Sequence, residues 1–294
     1  TRGGPGCERR AVSAEAPRVC LTFDFDAISI WPAAFGLTTP TALSRGEFGA
    51  RVAVPRILDA LRRDGVTATF FIPGHTVESF PEVCRRIVDE GHEVGHHGWM
   101  HENPVGLDAA AERDVLERGI ASMERVLGLR PTGYRSPSWD HSPRTPALLR
   151  ELGFAYDSSM MAQDLEMYRV REGDVLHPDR AFEFGREVDL VEVPGSWSLD
   201  DFPPLEFVPA QGFLLPAPGD PAALLRSWTA DLDFMVDRVP HGVFTMTFHP
   251  QTIGRASRLL LLEALVAHAR ERGARFVRVA DAVAEWRAAN PFAA

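Results

Sequence analysis

Residues 18–25 have the sequence RVCLTFDF, in which apolar, β-branched and aromatic side chains prevail. A short apolar run of this kind is typical of a buried β-strand. Similar runs recur along the chain, as in Val66–Ile72 (VTATFFI) and Gly242–Phe248 (GVFTMTF), and helix-type segments lie between them. Strands that alternate with helices pair in parallel through helical crossovers, so the pattern predicts an α/β fold.

The predicted elements form about seven strand–helix units, a number that favours a closed barrel with helices outside over an open sheet. The predicted strands are Arg18–Phe25, Val66–Ile72, His92–Gly95, a short one at Pro131–Tyr134, Phe154–Tyr156, Leu190–Pro194, Gly242–Phe248 and Arg275–Val277. The predicted helices are Val52–Arg63, Pro81–Glu90, Leu107–Leu127, Thr145–Leu152, Pro221–Val239, Arg255–Arg272 and Ala280–Ala288. In such a barrel the loops after the strands converge on one face, where the chemistry takes place.

Two regions depart from this regular pattern. Residues 158–220 are rich in proline and aromatic residues and are predicted to be a loop-rich insertion, which is typical of a lid, a substrate wall or a subunit contact. Gly36–Gly49 is also predicted to be a loop. Residues 1–17 are small, polar and charged and are predicted to be an N-terminal extension, so that residues 18–294 form a single barrel domain.

The bulk composition limits the classes of partner. The chain has 294 residues, of which 45% are hydrophobic and 24% charged, as in an ordinary globular protein. A formal charge of -10 argues against a nucleic-acid partner. No apolar run reaches the length of a membrane span and none resembles a signal-peptide core, so we expect a cytoplasmic location. Cys7, Cys20 and Cys84 are too scattered for a disulfide framework.

Asp24 and Asp26 are the first candidate pair for a functional site. Residues two apart on a strand point to the same face, so both carboxylates could reach one pocket. Two close carboxylates repel each other and require a positive partner. A metal bound by one carboxylate, with the other free as a base, would resolve this conflict. A pair of loop-capping aspartates is an equally good alternative from these two residues alone.

His97 and His101 are the second candidate pair. Histidines four residues apart lie on one face of a helical turn, so we expect both rings to point at one ion. Two imidazoles and a carboxylate leave positions open for water and substrate, as catalytic metal sites do. The neighbouring His92 and His96 are expected to be structural, because they would project away from the pocket.

Arg135, Trp139 and His249 also follow predicted strands. Arg135 could keep Asp24 ionised by charge pairing, and Trp139 could form an apolar wall; an ordinary proline-containing turn is the alternative. A histidine titrates near neutrality, so His249 suits a general acid that protonates a leaving nitrogen. A hydrogen-bonded histidine at a strand end is the alternative for this residue.

In this order, the motifs resemble those of the polysaccharide deacetylases, also called the NodB-homology group or carbohydrate esterase family four. The resemblance extends from Leu21 to Trp286. It implies a distorted (β/α) barrel and one divalent metal ion, commonly zinc and sometimes cobalt or nickel. It also implies a metal-dependent amide hydrolase, with N-deacetylation of an N-acetylated sugar or glycan as the first expectation.

The resemblance assigns the metal site and the base. Asp24 matches the catalytic base of the family, and Asp26 matches its aspartate metal ligand. His97 and His101 match the two histidine ligands.

The resemblance also assigns the residues around this centre. Arg135 matches the arginine that holds the base, and Trp139 matches the aromatic wall of the same motif. Asp157 looks like the aspartate that pairs near that arginine, and it is included among the catalytic residues. His249 matches the catalytic acid.

One departure from the family pattern concerns the first motif, where Phe25 separates aspartates that are adjacent in most members. This spacing is similar to a subgroup with peptidoglycan deacetylase and allantoinase-like members, some of which are metal-free and lack the second histidine. This chain keeps His101, which favours a bound metal. The stretch WSLDDF, residues 197–202, also resembles the subgroup, and we expect its Trp197 and Asp201 to bind substrate.

Three functions remain open at this point. The first is an N-deacetylase acting on a sugar or glycan, and the second is a small-molecule amide or cyclic-imide hydrolase, which a closed pocket would favour. The third is an inactive binding protein, against which the intact set of acid, base and ligands argues. The sequence leaves open the exact substrate, the physiological metal and whether the chain forms a homo-oligomer.

Overall fold

In the computed structural model, which describes residues 16–210, 213–215 and 219–293, strands and helices alternate along most of the chain. The strands are β1 (Arg18–Asp24), β2 (Thr69–Ile72), β3 (Glu93–His96), β4 (Gly133–Tyr134), β5 (Tyr156–Asp157), β6 (Tyr168–Glu172), β7 (Arg186–Glu192), β8 (Val208–Ala210), β9 (Phe213–Leu215), β10 (Val243–Phe248) and β11 (Arg275–Phe276). The helices are α1 (Ile30–Phe35), α2 (Pro40–Phe48), α3 (Val54–Arg63), α4 (Gly74–Ser79), α5 (Pro81–Asp89), α6 (Ala109–Leu127), α7 (Thr145–Glu151), α8 (Phe202–Leu205), α9 (Pro221–Arg238), α10 (Pro250–Ile253), α11 (Ala256–Glu271) and α12 (Val279–Ala289).

The main sheet is a curled run of parallel strands in the order β10-β1-β2-β3-β4-β5-β7. Strand β6 pairs antiparallel with β7 at one end, and β11 pairs parallel with β1. After β7, Asp200 forms a parallel bridge with Thr247 of β10. The predicted α/β barrel of about seven strands with helices outside is confirmed. Within the described residues its closure rests on that bridge, because β7 and β10 are not paired.

The core forms around β1, in which all seven residues are buried. The Phe23 ring stacks on Phe70 with 4.8 Å between ring centroids and lies 5.5 Å from the ring of Phe248. Aromatic pairs of this kind add about 0.5–1.5 kcal/mol to the free energy of burial. Helices outside cover this core with apolar side chains such as Ile57 and Leu265. The packed core therefore fixes where the strands end, and with them the loops of the site.

The prediction of a loop at Gly36–Gly49 is wrong, because α2 occupies most of this segment. Its helix begins with Pro40, whose fixed φ suits a first helical position. A Cβ on Gly46 would lie 2.3 Å from the backbone oxygen of Ala27. This glycine therefore permits close packing of a helix and does not mark a loop. A short π-helical turn, Gly49–Ala53, then leads into α3.

The predicted loop-rich insertion, residues 158–220, contains regular structure, namely the hairpin β6–β7, α8 and the small sheet β8–β9. Its Pro216 and Pro218 lie outside the described residues, as do Cys7 and residues 1–15 of the predicted extension. The division into an extension and one domain therefore stays a prediction. None of the described helices is long and apolar enough to cross a membrane.

Candidate active site

The candidate residues lie at the carboxyl ends of the parallel strands. Asp24 is the last residue of β1, and Asp26 lies just beyond it. His97, Arg135 and His249 directly follow β3, β4 and β10. Because parallel strands point the same way, the loops after them meet on one face of the barrel. The structure accordingly brings these five side chains together.

Asp26, His97 and His101 form a buried group of potential metal ligands. Nε2 of His97 lies 3.4 Å from Oδ1 of Asp26, and Nε2 of His101 lies 4.0 Å from the same oxygen. One ligand atom from each residue lies within 4.8 Å of the others. Ligands of a single zinc ion, each about 2.0–2.3 Å from it, have separations of this size.

The chemistry of these three groups fits a divalent cation. Both carboxylate oxygens of Asp26 are buried and lack a hydrogen-bond partner among the described residues, which is costly for a charged group. Burial raises the pKa of Asp26 well above its usual value. Burial also lowers the pKa of His97 and His101, so both imidazoles are neutral and can offer a lone pair. A cation would supply the partner that the Asp26 carboxylate lacks.

A backbone carbonyl fixes the orientation of His97. Its Nδ1 lies 2.8 Å from the carbonyl oxygen of Arg135 and therefore carries the proton that it donates. The lone pair of the neutral ring is then on Nε2, which faces Asp26. Metal-ligating histidines usually have such an acceptor behind the ring, because it sets the tautomer and raises the basicity of the ligand.

The predicted helical turn from His97 to His101 is wrong. Residues 98–100 form a turn, and His101 has a φ of 64°, in the left-handed region. The Glu102 carboxylate holds this turn by accepting the backbone N–H groups of Trp99 and Met100 at 3.1 and 2.7 Å. The two imidazole rings nevertheless lie 5.0 Å apart and both approach Asp26.

His92 and His96 have structural contacts, as expected from the sequence. Nδ1 of His92 accepts the backbone N–H of Ala68 at 3.1 Å. Nε2 of His96 lies 3.1 Å from the carbonyl oxygen of Leu116. Both rings thus point away from the pocket.

Arg135 holds Asp24 in its ionised form. Nη1 of Arg135 donates to Oδ1 of Asp24 at 2.7 Å and to the Thr22 hydroxyl at 2.8 Å. Its Nε and Nη2 donate to the carbonyl and the hydroxyl of Ser158 at 3.0 and 2.9 Å. Burial alone would raise the pKa of Asp24, but the Arg135 guanidinium and the nearby His249 imidazolium outweigh burial and lower it. Asp24 is therefore a carboxylate that can accept a proton.

His249 lies on the other side of the three potential metal ligands, with its Nε2 3.9 Å from Oδ2 of Asp26. Its Nδ1 lies 2.9 Å from Oδ1 of Asp201 and 3.5 Å from Oδ1 of Asp200. Burial disfavours the imidazolium, but these carboxylates outweigh burial and raise the pKa of His249 to about 10. The ring is therefore protonated at neutral pH and has an N–H to donate.

The sequence predicts that Asp201 binds substrate, but the structure places it behind His249. The Asp201 side chain is fully buried, and its Oδ1 accepts both the backbone N–H and Nδ1–H of His249 at 2.8 and 2.9 Å. Sequence reasoning missed this contact and the neighbouring Asp200, because the partners are 48 residues apart. The bridge between Asp200 and β10 brings them together.

Asp157 lies apart from the pocket. Among the described residues the Arg135 side chain forms no hydrogen bond with Asp157, so the expected pairing of these two residues is wrong. Oδ2 of Asp157 lies 3.2 Å from Nε2 of His141, and Oδ1 accepts the Ser159 hydroxyl at 2.7 Å. Successive side chains alternate along an extended chain. Ser158, the next residue, therefore faces Arg135, whereas Asp157 faces the opposite side.

A cavity of about 400 Å³ opens above the centre, lined by Asp24, Ile30, Ala34, Phe35, His97, His101, Ser138, Trp139, Trp197, Asp200, Phe202, Pro203 and His249. Trp139 and Trp197 lie together in one wall, with 4.7 Å between ring centroids. Phe35 and Phe202 stack in another, 5.9 Å apart. The sequence predicts both tryptophans at the pocket, but it missed Phe35, because no helix is predicted there.

Four non-glycine residues with left-handed backbone lie in the loops of the site. Ala27, His101, Ser138 and Trp139 have φ angles of 50°, 64°, 61° and 49°. Such conformations cost about 1–3 kcal/mol each and persist only where the surrounding structure imposes them. Their clustering is typical of a functional site.

Comparisons with known proteins agree on one family. The polysaccharide deacetylase family model matches residues 12–156. The peptidoglycan deacetylase of Helicobacter pylori is 36% identical over 289 residues, which cover 93% of this chain and 97% of that protein. A crystal structure of a Mycobacterium smegmatis protein assigned to the polysaccharide deacetylases is 34% identical, with a TM-score of 0.80 over 95% of this chain and 96% of that chain.

A further structure shares the fold at lower identity. PuuE allantoinase has a TM-score of 0.78 at 21% identity, over 96% of this chain and 94% of that chain. The identity and coverage of the first two relatives decide the assignment, and the chain belongs to the polysaccharide deacetylase family.

Proposed function

We propose that this chain is a metal-dependent hydrolase that removes an acyl group from nitrogen, and that its first substrate class is an N-acetylated sugar or glycan. The observation that carries the proposal is the group formed by Asp26, His97 and His101, with an ionised carboxylate on one side and a protonated imidazole on the other. The family supports N-deacetylation, and the name of the Helicobacter pylori relative supports peptidoglycan as a substrate.

Different residues of the site have different roles in amide hydrolysis. A divalent ion held by Asp26, His97 and His101, zinc or alternatively cobalt or nickel, would polarise the acyl oxygen and make water more acidic. Asp24 removes the proton of the attacking water, and Arg135 keeps this base ionised beforehand.

His249 completes the reaction by giving its Nε2 proton to the departing nitrogen. The Asp201 carboxylate accepts the Nδ1–H, which holds the ring in the orientation that directs Nε2 towards the centre. The environments of Asp24 and His249 shift their pKa values in opposite directions, below and above their usual values. Such a separation lets one group act as base and the other as acid at the same pH.

A second candidate function is the hydrolysis of a small amide or cyclic imide, and the lining of the cavity favours it. A sugar ring buries several hydroxyl groups, each of which is costly without a hydrogen-bond partner. Apart from the charged and ionisable residues, the polar groups of the lining are the Ser138 hydroxyl and the indole N–H groups of Trp139 and Trp197, and the other lining residues are apolar. A small amide or imide has fewer polar groups to satisfy than a sugar with several hydroxyls, so this lining favours the small substrate.

A panel of amides separates these candidates. Purified protein would be analysed for metal and assayed for acid release from N-acetylglucosamine, its oligomers of increasing length, small aromatic amides and cyclic imides. We expect turnover that is lost on chelation and restored by zinc. A rate that rises with the number of sugar units supports the glycan, and turnover of single-ring amides alone supports the small amide. Bound metal without turnover of any compound would support the binding protein.

The alkaline limb of the pH profile is expected to move to lower pH in Asp201→Asn. The general acid works only below the pKa of His249, which nearby carboxylates raise to about 10, so activity falls as the pH rises through that value. Removal of the Asp201 charge lowers this pKa. The measurement is kcat/KM against pH, with Asp237→Asn on the exposed face of α9 as a control. An unchanged alkaline limb would refute the role given to His249.

A further inference from the structure

A second set of buried ionisable groups lies behind Arg135, outside the cavity. We name it the Asp157 cluster, and it consists of His141, Asp157, Ser159 and Glu192. Asp157 and Glu192 are the last residues of the neighbouring strands β5 and β7, and both are fully buried. The proposed reaction uses none of these groups, although two neighbouring buried carboxyl groups are costly unless hydrogen bonds or a compensating charge stabilise them.

The ionisable groups of the cluster shift one another's pKa values. Burial and the adjacent Asp157 carboxylate raise the pKa of Glu192 well above its usual value, which favours its protonated form. Burial alone would raise the pKa of Asp157, but His141, Glu192 and Ser159 outweigh it and lower that pKa. Burial disfavours a charge on His141, yet Asp157 outweighs burial and raises the pKa of the ring.

The cluster holds the Ser158–Ser159 and Ser159–Met160 peptide groups by direct hydrogen bonds. Oε1 of Glu192 accepts the backbone N–H of Ser159 at 2.8 Å and that of Met160 at 2.9 Å. The Ser159 hydroxyl donates to Oδ1 of Asp157 at 2.7 Å. Because these three hydrogen bonds hold its peptide groups and the Ser159 hydroxyl, the segment 158–160 has little freedom to shift.

This segment in turn holds Arg135 and the residue after it. The carbonyl and hydroxyl of Ser158 accept Nε–H and Nη2–H of Arg135 at 3.0 and 2.9 Å. The Ser159 hydroxyl accepts the backbone N–H of Ser136 at 2.8 Å. The remaining guanidinium nitrogen, Nη1, is the one that binds Asp24.

We infer that Glu192 is a positioning residue: together with Asp157 it holds Ser158 and Ser159, and through these serines it fixes the Arg135 guanidinium against Asp24. The kinetic consequence rests on the proposed function, because it assumes that Asp24 is the base. The positioning of Arg135 does not depend on it. The same contacts hold the start of the strained loop that carries Ser138 and Trp139 into the cavity.

Two variants of similar volume test the inference. In Glu192→Gln, the amide oxygen can still accept both backbone N–H groups. In Glu192→Met, both of these hydrogen bonds are lost. We expect the glutamine variant to keep the wild-type kcat and the methionine variant to lose about tenfold or more in kcat, with a smaller change in KM.

A spectroscopic signal tests the positioning without any turnover. The Nε–H resonance of Arg135 is identified in a nitrogen-15 spectrum by its loss in Arg135→Lys. It should be unchanged in Glu192→Gln and shifted or broadened in Glu192→Met. A matched control is Glu93→Met, which removes hydrogen bonds to Thr69, Tyr156 and Ala280 at the opposite end of the barrel and should lower the melting temperature alone.

Ser159→Ala removes only the hydroxyl that joins Asp157 to the backbone of Ser136. This variant tests the positioning of Arg135 if Glu192→Met does not fold. We expect a shifted Arg135 signal and a fall in kcat. The inference is overturned if Ser159→Ala leaves both unchanged, or if Glu192→Gln disturbs the signal as much as Glu192→Met does. If the wild-type protein hydrolyses no compound of the panel, the proposed function fails, but the Arg135 signal still tests the positioning.

Discussion

Replacement of Asp24 by asparagine is expected to abolish turnover while the metal stays bound. An amide has the shape of the carboxylate but cannot accept the proton of the attacking water at neutral pH. General-base catalysis contributes roughly 10²–10⁴-fold to such reactions, and we expect a loss of at least this size in kcat. The binding group of Asp26, His97 and His101 is left intact, so the metal content should stay at the wild-type level.

Acid release and metal analysis on the same preparation check this result. The variant Asp237→Asn, on an exposed surface of α9, provides the matched control with the same chemical change away from the site. Loss of the metal in Asp24→Asn would show that Asp24 is a ligand and not a free base. Turnover near the wild-type rate would remove Asp24 from the mechanism altogether.

Replacement of His101 by alanine is expected to remove metal and activity together. The change deletes one of three ligand groups and leaves the Asp26 carboxylate with a single imidazole as its neighbour in that group. Loss of an outer partner of a metal ligand already costs about 10–100-fold in affinity, so loss of a ligand should cost more. Metal content after dialysis and kcat measured with added zinc give the two readings.

The control for this variant is His268→Ala, which removes a half-buried histidine that binds Asp233 on the outer helices. It should keep both metal and turnover. Full metal occupancy in His101→Ala would contradict the ligand assignment. Recovery of turnover at high zinc concentration would be consistent with it, because weaker binding can be offset by mass action.

Much of the fold follows from local patterns in the chain. The strands predicted at Arg18–Phe25 and Gly242–Phe248 correspond to β1 and β10, and the helix predicted at Leu107–Leu127 corresponds to α6. The two strands are continuous apolar runs because all of their residues are buried, whereas the buried residues of α6 recur with the period of the helix. The positions of Asp24, His97, Arg135 and His249 after strands were predictable for the same reason.

Other features could not be predicted, because they depend on which distant segments meet. In the sequence Gly46 is typical of a loop, and only the structure shows that the Ala27 backbone packs against it. His97 and His101 converge on Asp26 although the segment between them is not helical. Neither contact has a local signature.

The acidic residues show most clearly which features follow from local sequence and which depend on the tertiary structure. Local sequence was sufficient to place carboxylates at the ends of strands, since strand ends are marked by the change from apolar to polar residues. Which partner each carboxylate meets depends on strand register and on the curl of the sheet. That arrangement sets Asp201 behind His249 and Asp157 beside His141, because a buried charged group is costly unless the packed chain brings a partner close to it.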